Sequence, residues 1–138
     1  MDIRQEVISL IKKQFPKAVI YGEDKKQGFQ EPCFFVYEVD VERKKEVGRR
    51  YQENVPLVIQ YFSDQKHIKD DCAKVRQILF ELLEVLPANK VRAVKLNAQV
   101  IDDVLTVKVS YKHYLMREKV TVPKMQQLER KGQLYGDS

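Results

Sequence analysis

The 138-residue chain has no tryptophan, two histidines, two cysteines and five glycines, and the few cysteines, histidines and glycines each weigh against a class of function. Cys33 and Cys72 both fall inside apolar patterns, so buried free thiols are expected rather than a disulfide. His67 and His113 have no cysteine or carboxylate at metal-ligand spacing. One reads as a solvated helix start and the other as a half-buried strand residue, not as a ligand or general base. Gly22 and Gly28 mark turns in a polar loop, no glycine-rich phosphate loop is present, and Ser9, Ser63 and Ser110 lie in no nucleophile elbow. No apolar run approaches the ~18 residues of a membrane helix. Met1-Asp2-Ile3-Arg4-Gln5-Glu6 lacks the basic and apolar regions of a signal peptide, so a cytosolic location without membrane contact is expected.

Charge is present but localised. The chain carries 25 basic and 20 acidic residues, net +5, with a pI near 9.1. The octapeptide Arg43-Lys44-Lys45-Glu46-Val47-Gly48-Arg49-Arg50 holds five of the basic side chains and one acid, and without it 20 face 19. The basicity is therefore a spot at the tip of an excursion between two strand-like runs. A nucleic-acid surface usually spreads Lys and Arg over a face. The octapeptide reads instead as a docking finger. With 43% apolar and 33% charged residues the chain is globular in composition, and its length suits one domain.

The pattern predicts α+β architecture in the order α-β-β-β-α-β-β, a mainly antiparallel sheet packed on one face by two helices. Residues 2–15 form a helix with Ile3, Val7, Leu10, Ile11 and Phe15 on one side and an Asp2/Gln5 capping box. Residues 18–21 form a short strand, and 22–32 a loop. Phe35, Tyr37, Val39 and Val41 alternate with Val36, Glu38, Asp40 and Glu42, and Tyr51 to Tyr61 alternate in the same way. Pro56 cannot donate a ladder hydrogen bond, which makes its strand an edge or bulged at that point. A second helix is expected over residues 66–86, capped by Ser63 or Asp64 and stopped by Pro87. A two-residue turn at Asp102-Asp103 pairs Val100 with Leu105, Ala98 with Val107, Leu96 with Val109 and Val94 with Tyr111, and it also pairs polar with polar. The single domain should span 1–116, with 117–138 a weakly structured tail.

A metal-dependent nuclease of this element order would need an acid on its second strand and Glu-x-Lys or Asp-x-Lys on the third. Glu38 and Asp40 fall on one strand face, but the facing stretch is Ile59-Gln60-Tyr61-Phe62, and Glu42-Arg43-Lys44 sits at a loop edge. An RNA-binding sheet is also disfavoured, because Tyr37, Tyr51, Tyr61 and Tyr111 fall on the apolar parity and should be core. No enzyme activity, metal or cofactor is expected.

The words Tyr21-Gly22-Glu23, Gln27-Gly28-Phe29, Glu31-Pro32-Cys33-Phe34-Phe35-Val36, Gly48-Arg49-Arg50-Tyr51 and Gln60-Tyr61-Phe62 occur in that order. Over roughly residues 1–115 the chain resembles the small tail terminator, or tail completion, proteins of phages and prophages of Gram-positive bacteria. The resemblance implies a ring, generally a hexamer, that caps the tail tube, ends its polymerisation and offers the surface for head joining. It implies self, the tail tube protein and a head-completion protein as partners, with a passing contact to DNA. It places the protein in the host cytoplasm during assembly and then in the virion tail. The interface residues expected on this reading are Arg43, Lys44, Lys45, Arg49 and Arg50 on the finger. Glu38, Asp40 and Glu42, or the Asp102-Asp103 turn, would form a complementary patch. Arg49 and Arg50 should contribute little to folding. The alternative is a small basic nucleic-acid-binding module.

Overall fold

A computed structural model describes residues 2–22 and 30–116. The order is α1 (Ile3–Gln14), β1 (Val19–Tyr21), β2 (Cys33–Glu38), β3 (Glu42–Lys45), β4 (Arg50–Phe62), α2 (Ile68–Leu83), β5 (Val85–Leu86), β6 (Val91–Ile101) and β7 (Val104–Met116). The fold is α+β. One sheet runs β1-β2-β4-β7-β6-β5, antiparallel except for β1 on β2, and β3 pairs with β4 beyond the end of β2. Residues 117–138, expected as a tail, lie outside the described residues.

α1 begins as its sequence dictates. Gln5 N donates to Asp2 Oδ1 at 2.7 Å, and the Gln5 side chain accepts from Asp2 N at 3.3 Å, satisfying two donors that a helix start leaves orphaned. Its buried face of Ile3, Val7 and Ile11 meets the helix-facing side of the sheet. That side carries Phe34 and Val36 from β2, Leu57, Ile59 and Tyr61 from β4, and Leu105, Val107 and Tyr111 from β7. Phe34 packs tilted against both Phe15 and Tyr61, with ring centroids 5.0 and 4.8 Å apart.

The predicted α2 is too long at both ends. It spans Ile68–Leu83, with His67 at the N-cap making no side-chain capping bond. Ser63 does not cap it directly. Its hydroxyl accepts from Gln65 N and donates to Asp71 Oδ2, which also accepts from Tyr61 OH, both at 2.6 Å. At the other end Tyr111 OH donates to the Leu83 carbonyl at 2.6 Å, taking up an acceptor the helix cannot satisfy itself. The chain then extends as β5, where Leu86 pairs with Val91.

The β6–β7 hairpin follows the predicted register from Lys95/Ser110 to Val100/Leu105, around a turn in which Asp102 and Asp103 both have positive φ (52° and 63°). Such a primed turn matches the twist of the flanking strands. The Val94–Tyr111 pair is not formed. A bulge at Val94 shifts the register, and Ala93 takes its place opposite Tyr111. Val94 is left exposed.

On β2 the inward parity is the reverse of that predicted. Phe34 and Val36 face the helices, while Phe35 and Tyr37 point to the other face, where Phe35 stacks with Tyr21 and Phe62. Val39 and Val41, expected inside, are 36% and 45% exposed. The cause is a second bulge. Glu38 pairs with Leu57, but Glu42 pairs with Asn54, so residues 39–41 face only 55 and 56. Val39 N donates to Pro56 O at 3.0 Å, so the side of Pro56 that lacks an N–H points into the bulge. β4 is central, and the disruption Pro56 imposes falls on its partner strand.

A buried acid fixes the loop into β6. Glu6, 3% exposed on α1, accepts from Ala88 N (2.6 Å), Asn89 N (2.9 Å) and Asn89 Nδ2 (2.8 Å).

A braced basic finger as candidate interaction site

The octapeptide is a regular two-stranded projection. β3 pairs Arg43 with Glu53, Lys44 with Gln52 and Lys45 with Tyr51, and β7 continues the sheet to Arg50–Met116. The strands close across Glu46 and Arg50, where Glu46 N donates to Arg50 O at 2.8 Å. Gly48 at the tip has φ +70°, a conformation any L side chain would strain to adopt.

The base of the finger is held by charge. Arg43 Nε and Nη2 both donate to Glu53 Oε2 (2.9 and 2.7 Å), and His113 Nε2 lies 3.1 Å from Glu53 Oε1. Partial burial opposes ionisation of Glu53, but the hydrogen bonds to Arg43 and His113 outweigh it and hold the carboxyl below its ordinary range. Arg43 also lies over the Tyr51 ring, 5.4 Å from its centroid.

The five basic finger residues divide into two groups. Arg43 and Arg50 are surface struts, each side chain more than half exposed but engaged with neighbours within the finger. Arg50 lies 4.3 Å over the Tyr114 ring and 3.5 Å from Glu46, and Gln52 Nε2 donates to Tyr114 OH at 3.1 Å. The expectation that Arg50 is a bare charge is therefore corrected: the β4–β7 register places Tyr114 diagonally beside it, and the guanidinium stacks on that ring. Lys44, Lys45 and Arg49 are exposed and make no ion pair among the described residues.

Glu38, Asp40 and Glu42 do not share a face. The bulge sends Glu38 to the helix-side parity and Glu42 to the opposite one, with Asp40 between them at φ +45°. All three are exposed. Glu53, which locks the finger, belongs to no motif in the sequence. Its signal was a lone acid opposite the basic run, readable only once the tip is known to be short. His113 is half-buried as expected, and its partner across the ladder is Glu53.

Among the described residues no group of three or more His, Cys, Asp or Glu is arranged to hold a metal, and no helix is long and apolar enough to cross a membrane. Cys33 and Cys72 are buried free thiols.

No curated protein matches the chain in sequence. A solved structure aligns with 86% of this chain and 99% of its own at 13% identity, with a TM-score of 0.34, a likeness too loose to carry an argument. The model of a family described as phage tail terminator protein matches residues 2–123. Over that span the chain belongs to the phage tail terminator family, structural components of the virion tail.

Proposed function

We propose that the protein ends growth of the tail tube by capping it as a ring, a hexamer by family resemblance, and presents the surface to which the filled head is joined. The observation that carries the reading beyond family membership is the finger: its base is locked by Arg43, Glu53 and His113, while Lys44, Lys45 and Arg49 make no ion pair among the described residues. A rigid projection with free charge at its end suits docking, because little ordering entropy remains to be lost on contact.

A closed ring needs two different complementary patches on each subunit. The finger tip supplies the basic one. Because Glu38, Asp40 and Glu42 are dispersed, the exposed Asp102-Asp103 turn is the better acidic complement. It lies beyond the Phe62 end of β4, whereas the tip lies beyond the Arg50 end, so the two are separated by about 40 Å at ~3.3 Å per residue. Patches at opposite ends of one sheet favour head-to-tail contact between copies over self-pairing. Electron microscopy of the protein mixed with its tail tube protein tests the reading. Rings seated on tube ends, with tubes of arrested length, are expected, and uncapped tubes that keep growing would refute it.

A further inference from the structure

Both helices pack on one side of the sheet, and the opposite side of β3, β4, β7 and β6 has none of the described helices over it. The ladder places Lys44, Lys95, Lys108 and Lys112 on that open side. Lys112 pairs with Asn54 and Lys44 with Gln52, both on outward-facing positions of β4, while Lys108 and Lys95 pair with Asn97 and Ser110. All four lysines are exposed, and none makes an ion pair among the described residues. On these strands the only carboxylate of the same parity is Glu42. At ~4.8 Å between strands and ~3.3 Å per residue, neighbouring lysines of the set lie about 8–13 Å apart and the whole patch spans about 20 Å. A shallow groove lined by Pro56, Val58, Lys95, Asn97, Lys108 and Ser110 runs through it.

We propose that this open sheet face binds the phosphate backbone of duplex DNA without regard to sequence. The proposal goes beyond the ring reading and does not depend on it. Protein interfaces are depleted in lysine and enriched in aromatic residues and arginine, whereas phosphate contacts draw on lysine together with amide and hydroxyl side chains. The middle of the open face has the second composition, with Gln52, Asn54, Asn97 and Ser110 set among the lysines, while its finger end also carries Arg50, committed to the Tyr114 ring, and the exposed Met116. A patch of about 20 Å covers about six base pairs of duplex at 3.4 Å each. The hairpin register alone puts Lys95 and Lys108 on one polar face, but Lys44 could not be joined to them from the sequence, because β3 and β7 meet only through the register of β4.

The test is fluorescence anisotropy of the full chain with a labelled duplex of about 20 base pairs, titrated between about 50 and 200 mM salt. Four neutralised phosphates give a log–log salt slope of about −3.6. Lys95→Gln/Lys108→Gln/Lys112→Gln should reduce its magnitude by about 2.7, whereas Lys45→Gln/Arg49→Gln at the finger tip should leave it unchanged. If the triple variant does not fold, Lys108→Gln alone should reduce the magnitude by about 0.9. Absence of salt-dependent binding, a slope lost with the tip variant but kept with the face variant, or binding to poly-glutamate and not to DNA would each overturn the proposal.

Discussion

Glu6→Ala should remove the clasp that ties the loop between β5 and β6 to α1. The carboxylate is 3% exposed and accepts three hydrogen bonds of 2.6–2.9 Å from Ala88 and Asn89. Charge-assisted hydrogen bonds contribute ~1.5–3 kcal/mol each, but these three share one acceptor group and do not add in full. Ala88 is exposed and Asn89 half-buried, so water can satisfy part of what is lost, and the variant no longer has to desolvate a carboxylate. The net expectation is a loss of about 2–4 kcal/mol. At roughly 3–4 °C per kcal/mol for a chain of this size, the thermal midpoint should fall by about 6–16 °C. Glu6→Gln keeps one carbonyl oxygen for the Asn89 donors but turns an N–H₂ toward one of the loop donors, so it should fall between wild type and alanine. Urea unfolding followed by circular dichroism measures the difference. A loss below about 1 kcal/mol for Glu6→Ala would show that the loop is held by its backbone and that the carboxylate is incidental.

Arg50→Ala should cost about 1 kcal/mol, combining its stack on Tyr114 with a weak pair to Glu46, and Lys45→Ala/Arg49→Ala should leave the thermal midpoint unchanged while weakening assembly on the tube. Equal midpoints for the two variants in calorimetry would contradict the division into struts and free tip. The carboxyl of Glu53 is depressed in the folded state, so its contribution is present above the ordinary value of 4.5 and is lost as pH falls through the lower folded value. Wild type should therefore exceed Glu53→Gln in stability near neutrality, and the gap should close below pH 4.5 in acid titrations; a gap that widens there would reverse the assignment. Burial, with the Glu31 carboxylate nearby, pushes the Cys33 thiol from 9.0 up to about 11, and burial also raises Cys72. Neither thiol should react with a disulfide reagent at about pH 8 until denaturant is added, and rapid native labelling would place them at the surface.

The parts of the fold that were legible in the sequence are those pinned by local chemistry. Asp2 and Gln5 announce the start of α1. Asp102-Asp103 fixes a two-residue turn from which six cross-strand pairs follow, because shifting by one residue would turn every side chain over. The bulges were not legible, since an extra residue changes no composition. At Val94 the result was one misplaced pair, and at Val39–Val41 it scattered three carboxylates that had read as a patch. β2 misled for another reason. Cys33-Phe34-Phe35-Val36 is apolar on both sides, so its alternation could not say which side meets the helices. The basic finger was visible as composition. Its lock at Glu53 and His113 was not, because those residues meet only through the pairing of β4 with β3 and β7.

Deleting the gene from its phage or prophage tests the central claim most directly. Electron micrographs of lysates should show filled heads beside overlong or ragged tails that are not joined to them. Tails of normal length on infectious particles would contradict the account.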